Sequence, residues 1–221
     1  MTFLTPVLEE GVFTTVQVGN LAVPAINQQK REECGSCCVG LVLRMTGYAN
    51  ANAISPQMLR TESQNHKAYY RPHPAEVIVG PRPDGLGDVM RAIRSLNTQG
   101  RTYFGLSGAN IVRMLERAYG QLHAKFRRTK DSLAMLTVLE ATSVERPLIV
   151  AVDWDAERRH FVVACGYRFI TCDEVLFSDP IFGAGWLKVK LRQAIIGRGI
   201  TLQYKPAPDT RGQIGGDCIT F

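Results

Sequence analysis

Apolar positions along this chain change their period once, after Pro147. Upstream they recur at three- and four-residue intervals, the spacing of one helix face. "GSCCVGLVLRMTG" aligns Cys38, Leu41, Val42 and Met45 on a stripe and ends at Gly47, a suitable helix stop. "ISPQMLRTESQ" reads as helical after Ser55, and "GDVMRAIRSLNTQG" groups Val89, Ile93 and Leu96. "SGANIVRMLERAYG" groups Ile111, Met114, Leu115 and Ala118, with Ser107 as N-cap and Gly120 as stop. "SLAMLTVLEATSVERP" supplies a further helix. Downstream, "LIVAVDW" (148–154), "HFVVACGYRFI" (160–170), "EVLFSDP" (174–180), "GWLKVKL" (185–191) and "ITLQYKP" (200–206) read as strands joined by short turns. "VFTTVQVGNLAVPAI" (12–26) predicts an early strand pair turning near Gly19-Asn20. Helices followed by an antiparallel sheet make an α+β pattern.

No linker or repeat interrupts the 221 residues. The expectation is one domain over 1–221, helical over about 34–146 and sheet over about 147–206. Within it, "RPHPAEVIVGPRPDGLG" is a proline- and glycine-rich loop suited to a lid or a substrate-binding insertion.

Composition adds little: 45% hydrophobic and 21% charged residues are ordinary for a globular chain. No stretch approaches the roughly 20 apolar residues of a membrane helix. "MTFLTPVLEEGVF" has no basic start and carries two glutamates, unlike a signal peptide, so the expected compartment is the reducing cytoplasm. Six cysteines are too sparse for a disulfide scaffold. Charge is more localised. Residues 101–130 hold Arg101, Arg113, Arg117, Lys125, Arg127, Arg128 and Lys130 against Glu116 alone, which accounts for the whole net charge of +6. A solvated helix face followed by the basic loop "KFRRTK" explains this; a docking surface for an acidic partner is the functional alternative. No nucleic-acid motif accompanies the charge, so nucleic acid is not an expected partner.

Three cysteines within five positions, Cys34, Cys37 and Cys38, raise the question of chemistry. A thiol at a helix N-terminus has its thiolate stabilised by the dipole, and further by a neighbouring imidazolium. The sheet offers that imidazole. His160 begins one strand and Asp179 ends the next, so a hairpin puts both at one edge of the sheet, where the carboxylate can orient the ring. Cys34 stands at the expected first turn, with backbone N–H groups able to bind an oxyanion, and Gln28 six residues upstream could add a side-chain donor. Gly35 beside it leaves room for a substrate backbone.

Taken together, Gln28, the "CG" that opens a small-residue helix, "LSGANIVRMLERAYG", "RPLIVAVDW", "HFVVACGY" and "LFSDPIFG" resemble, in that order over about 22–190, the papain-like cysteine peptidases. Within that family the chain looks most like the bacterial double-glycine peptidases that process bacteriocin precursors and the papain-like effector proteases of plant pathogens. The resemblance implies a papain-like fold and cleavage of peptide or isopeptide bonds in a protein or peptide substrate through a thioester acyl-enzyme. It implies Cys34 as nucleophile, His160 as general base and acid, Asp179 as orienting residue and Gln28 in the oxyanion hole, with no cofactor or metal. Likeness to effectors also leaves open delivery into another cell by a dedicated secretion system.

"CGSCC" imitates the papain signature and would point to Cys37. Against that, Arg31 rather than glutamine stands six residues before Cys37, and Cys38 rather than an aromatic residue follows it. Cys38, Cys165, Cys172 and Cys218 are expected as packing residues, and His66, His73 and His123 as dispensable for chemistry. The alternatives are a papain-fold acyltransferase, a zinc site built from Cys34 and Cys37 with His160, Cys165 or Cys172, or a non-catalytic interaction module. Gly215-Gly216 near the C-terminus is a conceivable self-cleavage point by analogy with double-glycine substrates.

Overall fold

The computed structural model describes residues 8–18, 21–30, 33–67, 106–121, 123–129, 132–154, 159–165, 174–182, 186–196, 199–206 and 208–221. The expected helix around Val89 to Leu96, the proline-rich loop, His73, Cys172 and the Gly19-Asn20 turn lie outside them.

The architecture is α+β. The early pair forms as read: β1 (Phe13–Val18) runs antiparallel to β2 (Leu21–Ile26), with Val18 opposite Leu21. The helices α1 (Cys34–Met45), α2 (Pro56–Lys67), α3 (Gly108–Tyr119) and α4 (Ser132–Glu140) precede most of the sheet. The signals at the ends of α3 work as expected. Ser107 Oγ accepts from the Asn110 N–H (3.2 Å), and Gly120 closes the helix at φ 64°, a left-handed conformation that a Cβ would disfavour. Ala118, placed on the buried stripe by periodicity, is exposed instead.

Eight strands make the main sheet, every described pairing antiparallel. These are β3 (Lys125–Arg128), β4 (Leu148–Asp153), β5 (Arg159–Ala164), β6 (Glu174–Ser178), β7 (Trp186–Lys190), β8 (Arg192–Ile196), β9 (Gly199–Tyr204) and β10 (Gly212–Thr220). The order is β7-β6-β5-β4-β10-β9-β8, with β3 also on β10. Three features depart from the sequence reading. The basic "KFRR" is a strand rather than a loop, exposed along its length, with Arg128 donating to Asp217 at 2.7 Å. Arg192–Ile196 is an additional strand. The C-terminal tail is β10, which lies between β4 and β9, so the sheet runs to Thr220 rather than to residue 206.

β10 explains its own glycines. Its register shifts between Ile214 and Cys218, and a Cβ on Gly216 would lie 2.4 Å from the Thr129 carbonyl oxygen. One on Gly215 would meet Asp153 Oδ2 at 2.6 Å. Gly215-Gly216 is therefore a site of close backbone approach inside the sheet. Cleavage there would require a central strand to be pulled out.

β7 and β9 approach each other although four strands separate them in the order, so the sheet curls and encloses an apolar cluster of Val150, Val152, Val162, Phe177, Leu202 and Tyr204 closed by Met135 and Leu139 of α4. The opposite face, carrying Ile149, Phe161 and Val163, packs against α1 and α3. α1 is buried on nearly every side, from Cys34 to Leu43 without a break. The single stripe expected from periodicity is thus part of a central helix covered all round, as its glycine, alanine-sized and apolar residues permit.

Candidate active site

α1 begins at Cys34, which places that thiol where the first free backbone N–H groups point. The approach to the helix is pinned. Glu33 accepts from the Lys30 N–H (3.1 Å) and from Arg60 of α2 (2.5 Å), and Arg60 also donates to the Gln29 side chain (2.9 Å). Sequence pattern singled out neither Glu33 nor Arg60, because a pair separated by 27 positions has no local signature.

His160 and Asp179 meet as the hairpin argument requires. The β4–β5 register sets His160 opposite Val152, near the turn end of β5, and β6 stops at Ser178. Asp179 follows, and Pro180 opens a short 3-10 turn, Pro180–Phe182, that ends the strand. His160 Nε2–H donates to Asp179 Oδ1 at 2.7 Å with both side chains buried. That leaves Nδ1 for the other neighbour, Cys34, on whose thiol the ring acts. The Phe161 backbone N–H donates to the same sulfur.

These contacts decide the charge state. Burial pushes the Cys34 thiol up, but the hydrogen bond and positive charge of His160, with the Phe161 N–H, outweigh it and leave the thiol below its ordinary value. Burial alone would lower the imidazole, yet the Asp179 carboxylate and then Cys34 raise it to about 10. Between the two values lies a thiolate–imidazolium pair. The neighbouring thiols behave oppositely: burial drives both Cys37 and Cys38 well above the ordinary value. Burial also raises Cys165 to about 12 and Cys218 to about 11.

Asp179 is held from further sides. The Tyr204 hydroxyl donates to its Oδ2 (2.5 Å), and the Ile181 N–H donates to its Oδ1 (3.0 Å). Trp154 packs edge-on against the His160 ring, centroids 5.5 Å apart. Tyr204 and Trp154 were not singled out in the sequence. The one signal available was that a buried tyrosine in a strand needs a partner for its hydroxyl.

Gln28 comes to the same place. Its backbone N–H donates to Pro180 O at 2.8 Å, tying residue 28 to the turn that follows Asp179. Its side-chain Nε2 donates to Lys30 O at 3.0 Å. Gly35 does not open onto a substrate. A Cβ there would touch Ile111 Cδ1 and Leu106 Cβ at 3.2 Å, so the missing side chain lets α3 pack against the start of α1.

No family model matches this chain, and no curated protein matches it. Among the described residues no group of three or more His, Cys, Asp or Glu side chains is arranged to hold a metal ion. No described helix is long and apolar enough to cross a membrane. His123 is exposed in the turn between α3 and β3, away from this constellation in the chain.

Proposed function

We propose that this chain is a papain-like cysteine peptidase that cleaves peptide or isopeptide bonds through an acyl-enzyme on Cys34. The observation that carries the reading is the buried hydrogen bond from His160 to Asp179, with the same imidazole acting on the Cys34 thiol at the start of a buried helix. Cys34 is the only one of the three clustered thiols with a lowered pKa.

In this reading the Cys34 thiolate attacks the scissile carbonyl carbon. Charge moves to the carbonyl oxygen, where N–H groups at the α1 start and the Gln28 amide stabilise it. Nδ1–H of His160 then protonates the departing amine, the C–N bond breaks, and a thioester remains. Neutral His160 next takes a proton from water, the hydroxide adds to the thioester, and collapse releases the carboxylic acid and the thiolate. Asp179 keeps Nε2 protonated throughout, so the nitrogen facing Cys34 is the one that gains and loses the proton. The substrate is a protein or peptide.

N-terminal peptide profiling of a lysate treated with the protein tests this, with Cys34→Ala treatment as control. New termini that appear with the wild type and are absent with Cys34→Ala are expected. Identical profiles from both would overturn the reading.

A further inference from the structure

We infer that Cys34 and Cys37 form a reversible disulfide that stores Cys34 in a protected, inactive state. The two thiols are the ends of a Cys-Gly-Ser-Cys segment lying wholly in the first turn of α1. Residues three apart on an α-helix have Cα atoms about 5 Å apart by helix geometry. That is inside the range of about 4.4–6.8 Å that a disulfide spans. Both thiols are buried, and Cys37 lies close enough to feel the charge of Cys34. A thiolate-forming cysteine at the helix start with a neutral thiol one turn in is the arrangement that thiol–disulfide chemistry uses: the first reacts and the second resolves.

The chemistry requires a hydroperoxide. The Cys34 thiolate attacks the terminal peroxide oxygen, the O–O bond breaks, and the alkoxide or hydroxide takes up a proton; sulfur is oxidised and the peroxide reduced by two electrons. The Cys37 sulfur then attacks the Cys34 sulfenic sulfur. An S–S bond forms, the S–O bond breaks, and hydroxide leaves with the Cys37 proton as water. A dithiol reductant reverses the bond by exchange. Without a thiol at 37, the sulfenic acid meets further peroxide and advances to the sulfinic and sulfonic acids, which a dithiol does not repair. The inference goes beyond peptidase activity and depends only on the reactivity of Cys34.

The test exposes the purified chain to hydrogen peroxide and maps the thiols by mass spectrometry before and after dithiothreitol. In the wild type, the peptide holding Cys34 and Cys37 should lose two hydrogens and regain them on reduction. Cys37→Ala and Cys37→Ser should instead accumulate two or three oxygens on Cys34 that survive reduction, while Cys38→Ala behaves as wild type. If turnover is measurable, dithiothreitol should restore it to the oxidised wild type and not to the two Cys37 variants. Absence of the disulfide in the wild type, or its persistence in Cys37→Ala but not in Cys38→Ala, would overturn the inference. The mass readout needs no substrate, so it stands apart from the peptidase reading.

Discussion

His160 Nε2 and Asp179 Oδ1 lie 2.7 Å apart, joining the start of one strand to the residue that leaves the next, and burial shields both from water. His160→Ala removes the proton carrier and the charge that holds the thiolate. Turnover should fall by about 10²–10⁴-fold, the usual contribution of a general acid–base residue. Asp179→Asn should cost less. Its amide oxygen can still accept from His160 and Ile181, and its NH2 can donate to the Tyr204 hydroxyl, so the ring stays oriented while the imidazolium loses its counter-charge. Steady-state kinetics of the two variants on one peptide check the ranking.

The pH dependence follows from the same pair. Cys34 lies below its ordinary value, so the thiolate persists as pH falls and is lost only below that lowered pKa. His160 is raised to about 10, so the proton needed by the leaving amine is lost as pH rises through that value. Activity should rise on the acid limb with Cys34 and fall on the alkaline limb with His160. Iodoacetamide should alkylate Cys34 well below the free thiol's pKa of about 8.5. In His160→Ala that low-pH alkylation should disappear. An unchanged alkylation profile in His160→Ala would remove the imidazole from the account.

Labelling also separates the clustered thiols. Iodoacetamide at low stoichiometry near pH 6 should label Cys34 first, because burial holds Cys37 and Cys38 as neutral thiols. Cys34→Ala should abolish turnover and Cys37→Ala should leave most of it. A first-labelled Cys37, found by peptide mapping, would transfer the nucleophile's role one turn along the helix.

Tyr204→Phe deletes one hydroxyl and leaves Asp179 Oδ2 buried without that donor. A loss of about 1–3 kcal/mol of stability is expected, the cost of an unsatisfied buried acceptor. Urea denaturation of the wild type and the variant measures it.

Gly216→Ala should lower stability by about 1–3 kcal/mol, the range for overpacking, because its Cβ would collide with the Thr129 carbonyl oxygen, which is backbone. The same denaturation series checks it, and the intact mass after long incubation should show no cut at Gly215-Gly216.

Local information sufficed where the cause is local. Ser107 and Gly120 bound α3 because a side-chain acceptor and a left-handed φ act within one turn. The change of period after Pro147 marked where the run of strands from β4 onward begins, although β3 joins the sheet from upstream of it. His160 and Asp179 could be brought together because antiparallel neighbours in the chain set the start of one strand beside the end of the next. Cys34 could be placed at a helix start for the same reason. By contrast, β10 reads as a glycine-rich tail, since its strand character comes from β3, β4 and β9 on either side rather than from its own residues. The salt bridge of Glu33 with Arg60 and the bond from Tyr204 to Asp179 likewise join residues far apart in the chain. Only the folded chain decides the state of Cys34, because its thiolate is set by the balance between burial and a hydrogen bond from a residue 126 positions away. Desolvation and long-range contact are properties of the packed interior, and neither is written in the residues next to the thiol.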